Sequence, residues 1–185
     1  MKRALLFALL LAACQEETAQ NIDPLPLTPE TVGHFCQMNL LEHEGPKGQV
    51  HLEGLPEMPL FFSQVSDLVV YLRLPEQSST VLAIYVSDMG ADGATWAEPG
   101  IANWIDARTA HYVVGAAIAG GMGAPEVVPF ADPAAAQAFA AERGGTVMAL
   151  DEIPDSAVAA PTSAAAGGED DYARRLKALS DKPEG

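Results

Sequence analysis

The sequence predicts an α+β fold: two related β-β-α(-β) units, each a small, mostly antiparallel sheet covered by a helix. Three observations point there. Short apolar runs of strand length alternate with two helical patterns, in the same order twice along the chain. Aromatic positions recur at matching places, Phe62 with Phe130 and Tyr71 with Phe139. Each unit also closes on a strand that begins with a Thr-Val pair, Thr80-Val81 and Thr146-Val147.

The elements follow in order. Residues 1–13 read as a signal peptide: Lys2 and Arg3, a short apolar run, then the small residues Ala12 and Ala13. That run is too short to cross ~30 Å of hydrocarbon as a helix. Leu11-Ala12-Ala13-Cys14 resembles a bacterial lipobox, which implies acylation of Cys14 as the mature N-terminus and anchorage to a lipid membrane. Gln15 in place of Asp then favours the outer membrane of a Gram-negative cell, with the protein on the periplasmic face. The plainer reading is a secretory signal whose cysteine is coincidental. Residues 14–32, with Pro24, Pro26 and Pro29, read as a tether.

The first unit spans 33–88, with short apolar runs at 35–41, 49–52 and 60–62. Val65, Leu68, Val69 and Leu72 keep helical spacing, with Ser63 as the expected N-cap and Pro75 as the stop. A strand at 81–86 closes it. After a turn-rich linker at 88–93, the second unit spans 103–153, with strands at 104–105, 111–114 and 127–130. Asp132 as N-cap and Pro133 at the first helical position open its helix, Gly144-Gly145 ends it, and residues 146–150 form the last strand. The tail, 154–185, is rich in Ala, Ser, Gly and Pro and reads as disordered, or helical in part from Asp170.

Composition narrows the function. The 185 residues suffice for one domain or two very small ones, and the formal charge is −15. Loss of the signal peptide leaves 25 acidic against 8 basic side chains, a net −17. No basic stripe is present to neutralise phosphates, which excludes nucleic acid as a partner. A cation or a positively charged protein surface suits this field. Two cysteines make no disulfide framework, and with Cys14 taken by lipid, Cys36 is the one remaining thiol.

Cys36 stands two residues before Met38. On a strand, such a pair projects to one side, so both sulfurs would face one point. A thiolate beside a thioether is a soft donor pair that selects Cu(I) over Mg²⁺, Ca²⁺ or Mn²⁺. Zinc would call for a cluster of cysteines or histidines, which the sequence lacks. The competing reading makes both residues core, since both types are commonly buried. A lone thiol in an oxidising compartment is nonetheless a liability without burial or a use. Among Met58, Met89, Met122 and Met148, the best third donor is Met122, because its flanking glycines give it no packing surface and permit close backbone approach. Met89 ranks second. His34, His43, His51 and His111 are isolated, and only His34 stands near the Cys-x-Met. No Ser/His/Asp spacing, phosphate loop or nucleotide motif is present.

One combination is specific in its order and spacing. A lipobox precedes Cys36-Gln37-Met38, then Pro59-Leu60-Phe61-Phe62-Ser63 leads into Asp67-Leu68-Val69-Val70-Tyr71-Leu72. Tyr85-Val86-Ser87-Asp88, Trp104, His111-Tyr112-Val113-Val114-Gly115, Gly121-Met122-Gly123, Pro129-Phe130 and Gly144-Gly145-Thr146-Val147 follow. Over about 33–153 this resembles the NosL family, lipoproteins accessory to nitrous oxide reductase. The resemblance implies a Cu(I)-binding metallochaperone, not an enzyme, that serves assembly of the reductase's copper centres in denitrification. It implies two partners, the reductase and the membrane transporter complex beside it. Cys36 and Met38 match the family's Cys-x-Met and Met122 its downstream methionine, while His34 has no clear counterpart. Two alternatives stand beside it. One is an envelope scaffold without metal. The other is an organomercurial-lyase-like enzyme, suggested by a shared fold but short of the second thiol such chemistry needs.

Overall fold

A computed structural model describes residues 19–158. The first unit comprises β1 (Gly48–Leu52), β2 (Leu60–Phe62), α1 (Val65–Arg73) and β3 (Val81–Ser87). A further strand, β4 (Trp104–Asp106), precedes the second unit: β5 (His111–Val114), β6 (Val128–Phe130), α2 (Pro133–Arg143) and β7 (Thr146–Met148). The sheets run β2-β1-β3-β4 and β6-β5-β7, with every pairing antiparallel. In both, the first strand of the unit lies centrally between its second and its last strand. The repeated β-β-α-β order thus has a repeated topology, and the fold class is α+β.

β4 departs from expectation. Instead of opening the second sheet, it extends the first, with Tyr85 opposite Asp106 and Ser87 opposite Trp104. Ile105 joins the first core and the Trp104 ring lies 6.5 Å from Phe61. An Asx-type turn, in which Asp106 Oδ1 accepts the Arg108 N–H at 2.8 Å, then carries the chain to β5.

Alternation along β5 divides the interior in two. Tyr112 and Val114 face the first core with Val50, Phe62, Leu68, Val69 and Val86, so residues of both sheets and of α1 share one core. Val113 faces the second core, where Val128, Phe130 and Ala136 meet under α2. Gly48 sits beneath Leu68, and a Cβ there would overlap that side chain. For α2 the expected punctuation is realised: Asp132 Oδ1 accepts the Ala134 N–H at 2.9 Å, Pro133 opens the helix, and Gly144 (φ 78°) ends it.

α1 starts differently. Ser63 is not its cap; Gln64 takes that position with no side-chain bond, and the Ser66 N–H donates at 3.0 Å to Oε1 of Glu126. The orphan donors of a helix's first turn need some acceptor, and here it comes from 60 residues away.

The segment expected to be free tether is docked from Gln20 onward. On β1, Gln49 and His51 point away from α1, and the Gln49 amide pairs with both the N–H (3.0 Å) and the C=O (3.1 Å) of Leu25. Gln20 bonds Leu52 and Gly54, and the Leu27 N–H reaches Ile101 O. A side-chain amide has the donor and acceptor of a peptide unit, which lets one residue hold a passing strand. Residues 155–158, expected as part of a disordered tail, form α3 (Asp155–Val158), where Ala157 and Val158 pack against the first core and Asp155 pairs with Arg73 of α1 at 2.6 Å. The expected signal peptide, Cys14 and the expected tail from residue 159 onward lie outside the described residues.

Candidate metal centre

Cys36 and Met38 lie in a closed loop, not on a strand. A Val32–Asn39 bridge shuts its base; inside it the Gly33 N–H donates to Met38 O at 3.0 Å and the Gln37 N–H to Gly33 O at 2.8 Å. Gln37 takes the left-handed conformation (φ 55°), and its side-chain amide donates to Gly33 O and His34 O. The pleat argument for juxtaposing the two sulfurs therefore does not apply; a six-residue turn replaces it. Sequence pattern missed this because the turn inside the loop is shaped by Gln37, whose positive φ leaves no mark on hydropathy. Within the loop Cys36 is half-buried and Met38 exposed. A Cβ on Gly33 would stand 2.5 Å from Cys36 Sγ and 3.3 Å from Leu40 Cδ1, so the thiol is seated in space that only glycine leaves open. The loop is fixed to the first sheet by the His34 N–H on Phe61 O at 2.7 Å, and the imidazole packs on Phe62 and Tyr71.

Met122 is exposed at the tip of a second loop, closed by an Ala119–Pro125 bridge and by the Gly120 N–H on Ala124 O. Its N–H donates to Gln64 Oε1 at 2.9 Å. Gly120 approaches Gln64 and Glu126 so closely that a Cβ would lie 2.5 Å from Gln64 Oε1 and 2.6 Å from Glu126 Oε2; Gly121 presses on His43 and Glu44. Both sulfur-bearing loops thus rest on the entry to α1: the same Gly33 Cβ position lies 3.8 Å from Ser63 N, and Gln64 holds Met122.

Beneath them lie two buried ionisable groups. Glu126 is fully enclosed, and burial pushes its carboxyl up to about 8, against the lowering effect of the Ser66 and Val127 N–H groups on Oε1. Lys47 is pushed down to about 8 by burial, opposed by the charges of Glu126, Cys36 and Glu44. Its ammonium donates to Glu44 O at 3.0 Å and Gly45 O at 2.5 Å, stapling the segment that Gly121 touches. Sequence reasoning singled out none of Gly33, Lys47, Gln64 and Glu126. Their roles arise from tertiary neighbours, and no motif in the sequence marks them.

The other sequence candidates scatter. Met89 packs against the second core and donates its N–H to Pro129 O; Met148 packs against the first core; Met58 is exposed in the β1–β2 turn. His51 is buried against Gln49 and Tyr85, His111 begins β5, and His43 borders a cavity of about 330 Å³ with Leu40, Leu41 and Ile101. Among the described residues, no three His, Cys, Asp or Glu side chains converge as a metal site. One thiol and two thioethers on neighbouring loops suit a soft, monovalent metal better than a hard one.

A twice-repeated β-β-α-β fold with soft donors around the entry to its first helix defines a small α+β protein of the metal-handling kind. The chain belongs to the NosL family, whose model, described as NosL, matches residues 24–158. It is 56% identical over 173 residues to the copper-binding lipoprotein NosL of Achromobacter cycloclastes, covering 92% of this chain and 89% of that one. With the copper-binding lipoprotein NosL of Stutzerimonas stutzeri it shares 32% identity, over 92% of this chain and 87% of the relative. The crystal structure of the copper chaperone NosL from Shewanella denitrificans superposes with a TM-score of 0.65 at 32% identity, covering 72% of this chain and 96% of that one.

Proposed function

We propose that this chain is a lipid-anchored copper chaperone of the cell envelope that carries Cu(I) for assembly of the copper centres of nitrous oxide reductase. Cys36 supplies a thiolate, and Met38 and Met122 supply thioethers. The observation that carries this reading is the seating of both sulfur-bearing loops on the entry to α1, by Gly33 on one side and Gln64 on the other. The names of the relatives, copper-binding lipoprotein and copper chaperone, support copper as the cargo.

The arrangement accounts for carriage without turnover. Cu(I) is satisfied by two or three soft ligands, so a site built from one thiolate and two thioethers leaves room for a ligand from an acceptor. Copper then moves by ligand exchange and is never released free. Met38 and Met122 are exposed, which puts two of the donors where an acceptor can reach them. Acylation of Cys14 would hold the protein on the periplasmic face of the outer membrane, confining the exchange to a surface and raising the effective concentration of partners, the reductase and its membrane transporter complex.

An anaerobic titration of the soluble form beginning at Gln15 against a colorimetric Cu(I) chelator tests the reading. One Cu(I) per chain, withheld from the chelator by the native protein and surrendered by Cys36→Ser, is the expected result. A native protein that never competes with the chelator would overturn it and favour a scaffold without metal.

A further inference from the structure

Exposed apolar surface is not spread evenly over the molecule. Nine large hydrophobic side chains are exposed among the described residues, and five of them, Val32, Phe35, Met38, Leu41 and Met122, belong to the two loops of the metal centre and the turn that follows the first. Scattered single exposed hydrophobics are ordinary, but a group gathered around one half-buried thiol is not. The charges here are one-sided as well. Glu30, Glu42 and Glu44 are exposed on the same segments, and the nearby Lys47 is buried with its ammonium spent on backbone carbonyls. The other described cations lie elsewhere: Arg73 and Arg108 line a cavity with Asp151 and Glu152, and Arg143 ends α2.

We infer that the collar formed by Val32, Phe35 and Leu41, with Glu30, Glu42 and Glu44 at its rim, is the docking face for the copper acceptor, a protein whose metal mouth is apolar and ringed by basic side chains. The inference rests on the copper-carrier reading and adds the partner's surface chemistry. An apolar centre excludes water while ligands exchange, and an acidic rim steers a basic partner and sets its orientation. The same rim repels an anionic lipid surface, so the face is turned to protein.

The test uses the full acylated chain in detergent, loaded with Cu(I) and mixed anaerobically with copper-free nitrous oxide reductase; the rate at which copper appears in the reductase is read. Leu41→Ser alters the collar and Glu30→Lys/Glu42→Lys the rim; none of these positions closes a sulfur-bearing loop or touches a proposed ligand. Both variants should melt near the native protein and hold Cu(I) against the chelator equally well, yet transfer it roughly tenfold more slowly. Native transfer should slow as salt rises, and the rim variant should lose that dependence. Equal transfer by native protein and both variants would overturn the docking face while leaving the carrier reading intact. Failure of the native protein to hold Cu(I) against the chelator would remove the carrier reading itself. A dimer of this chain that Leu41→Ser dissolves would assign the face to a second copy and overturn the proposal.

Discussion

The N–H of Met122 donates to Oε1 of Gln64 at 2.9 Å, tying the tip of one loop to the residue that precedes α1. Gln64 is buried, so this bond positions a side chain in the candidate centre from within the fold. Gln64→Leu removes the acceptor while keeping the volume. The expected cost is about 1 kcal/mol of stability and a several-fold loss of Cu(I) affinity. In a Met122→Leu background the affinity loss should vanish, because the positioned donor is gone. A chelator competition on the four proteins of this cycle checks it; additive losses would contradict the role.

Gly33 makes a second, steric prediction. Gly33→Ala places a methyl 2.5 Å from Cys36 Sγ, so the thiol or the loop must move. Cu(I) affinity should fall by more than about tenfold at a stability cost of roughly 1–3 kcal/mol, read by chelator competition and thermal melting. Gly54→Ala, where a Cβ meets nothing within 4 Å, should leave copper binding unchanged.

Stability should depend on pH in two windows of opposite sign. Glu126 is raised from 4.5 to about 8, so between those values the unfolded chain releases a proton that the folded chain keeps, and stability falls as pH rises. Asp67, also raised by burial, acts in the same direction. Lys47 is lowered from 10.5 to about 8, so above about 8 the unfolded chain holds the extra proton and stability recovers. Each group contributes a slope of up to about 1.4 kcal/mol per pH unit. Guanidinium unfolding across the range should show a minimum near pH 8. Glu126→Gln should flatten the acid side, and an unchanged slope in that variant would contradict the burial argument.

Tyr112 separates folding from copper handling. Its hydroxyl donates to Ala107 O at 2.6 Å inside the first core, between the two sheets. Tyr112→Phe leaves that carbonyl without its partner and should cost about 1–2 kcal/mol in chemical denaturation. Copper stoichiometry should stay at the native value, because no loop of the centre touches this bond.

The sequence made visible those features that repeat locally. The apolar stripe of Val65, Leu68 and Val69 marked α1, Asp132-Pro133 marked the start of α2, and matched aromatics exposed the duplication. Features made by distant partners stayed hidden. β4 joins the first sheet because its pairing with β3 is decided across a linker, and the α1 cap comes from Glu126. The strap at 20–27 read as tether because a proline-containing polar stretch carries no sign of the Gln49 amide waiting for it. In the metal centre the three sulfur residues were legible from chemical type alone. Their supports, Gly33, Gln64, Glu126 and Lys47, were not, since none has a motif.

The central claim is that sulfur from two separate loops meets on one copper ion. Copper K-edge X-ray absorption on the anaerobic Cu(I)-loaded protein tests it most directly, with Met38→Leu and Met122→Leu measured alongside. A low-coordinate, all-sulfur first shell that loses one sulfur scatterer in each variant is the expected result. A shell that both variants leave unchanged, or one dominated by nitrogen or oxygen, would contradict it.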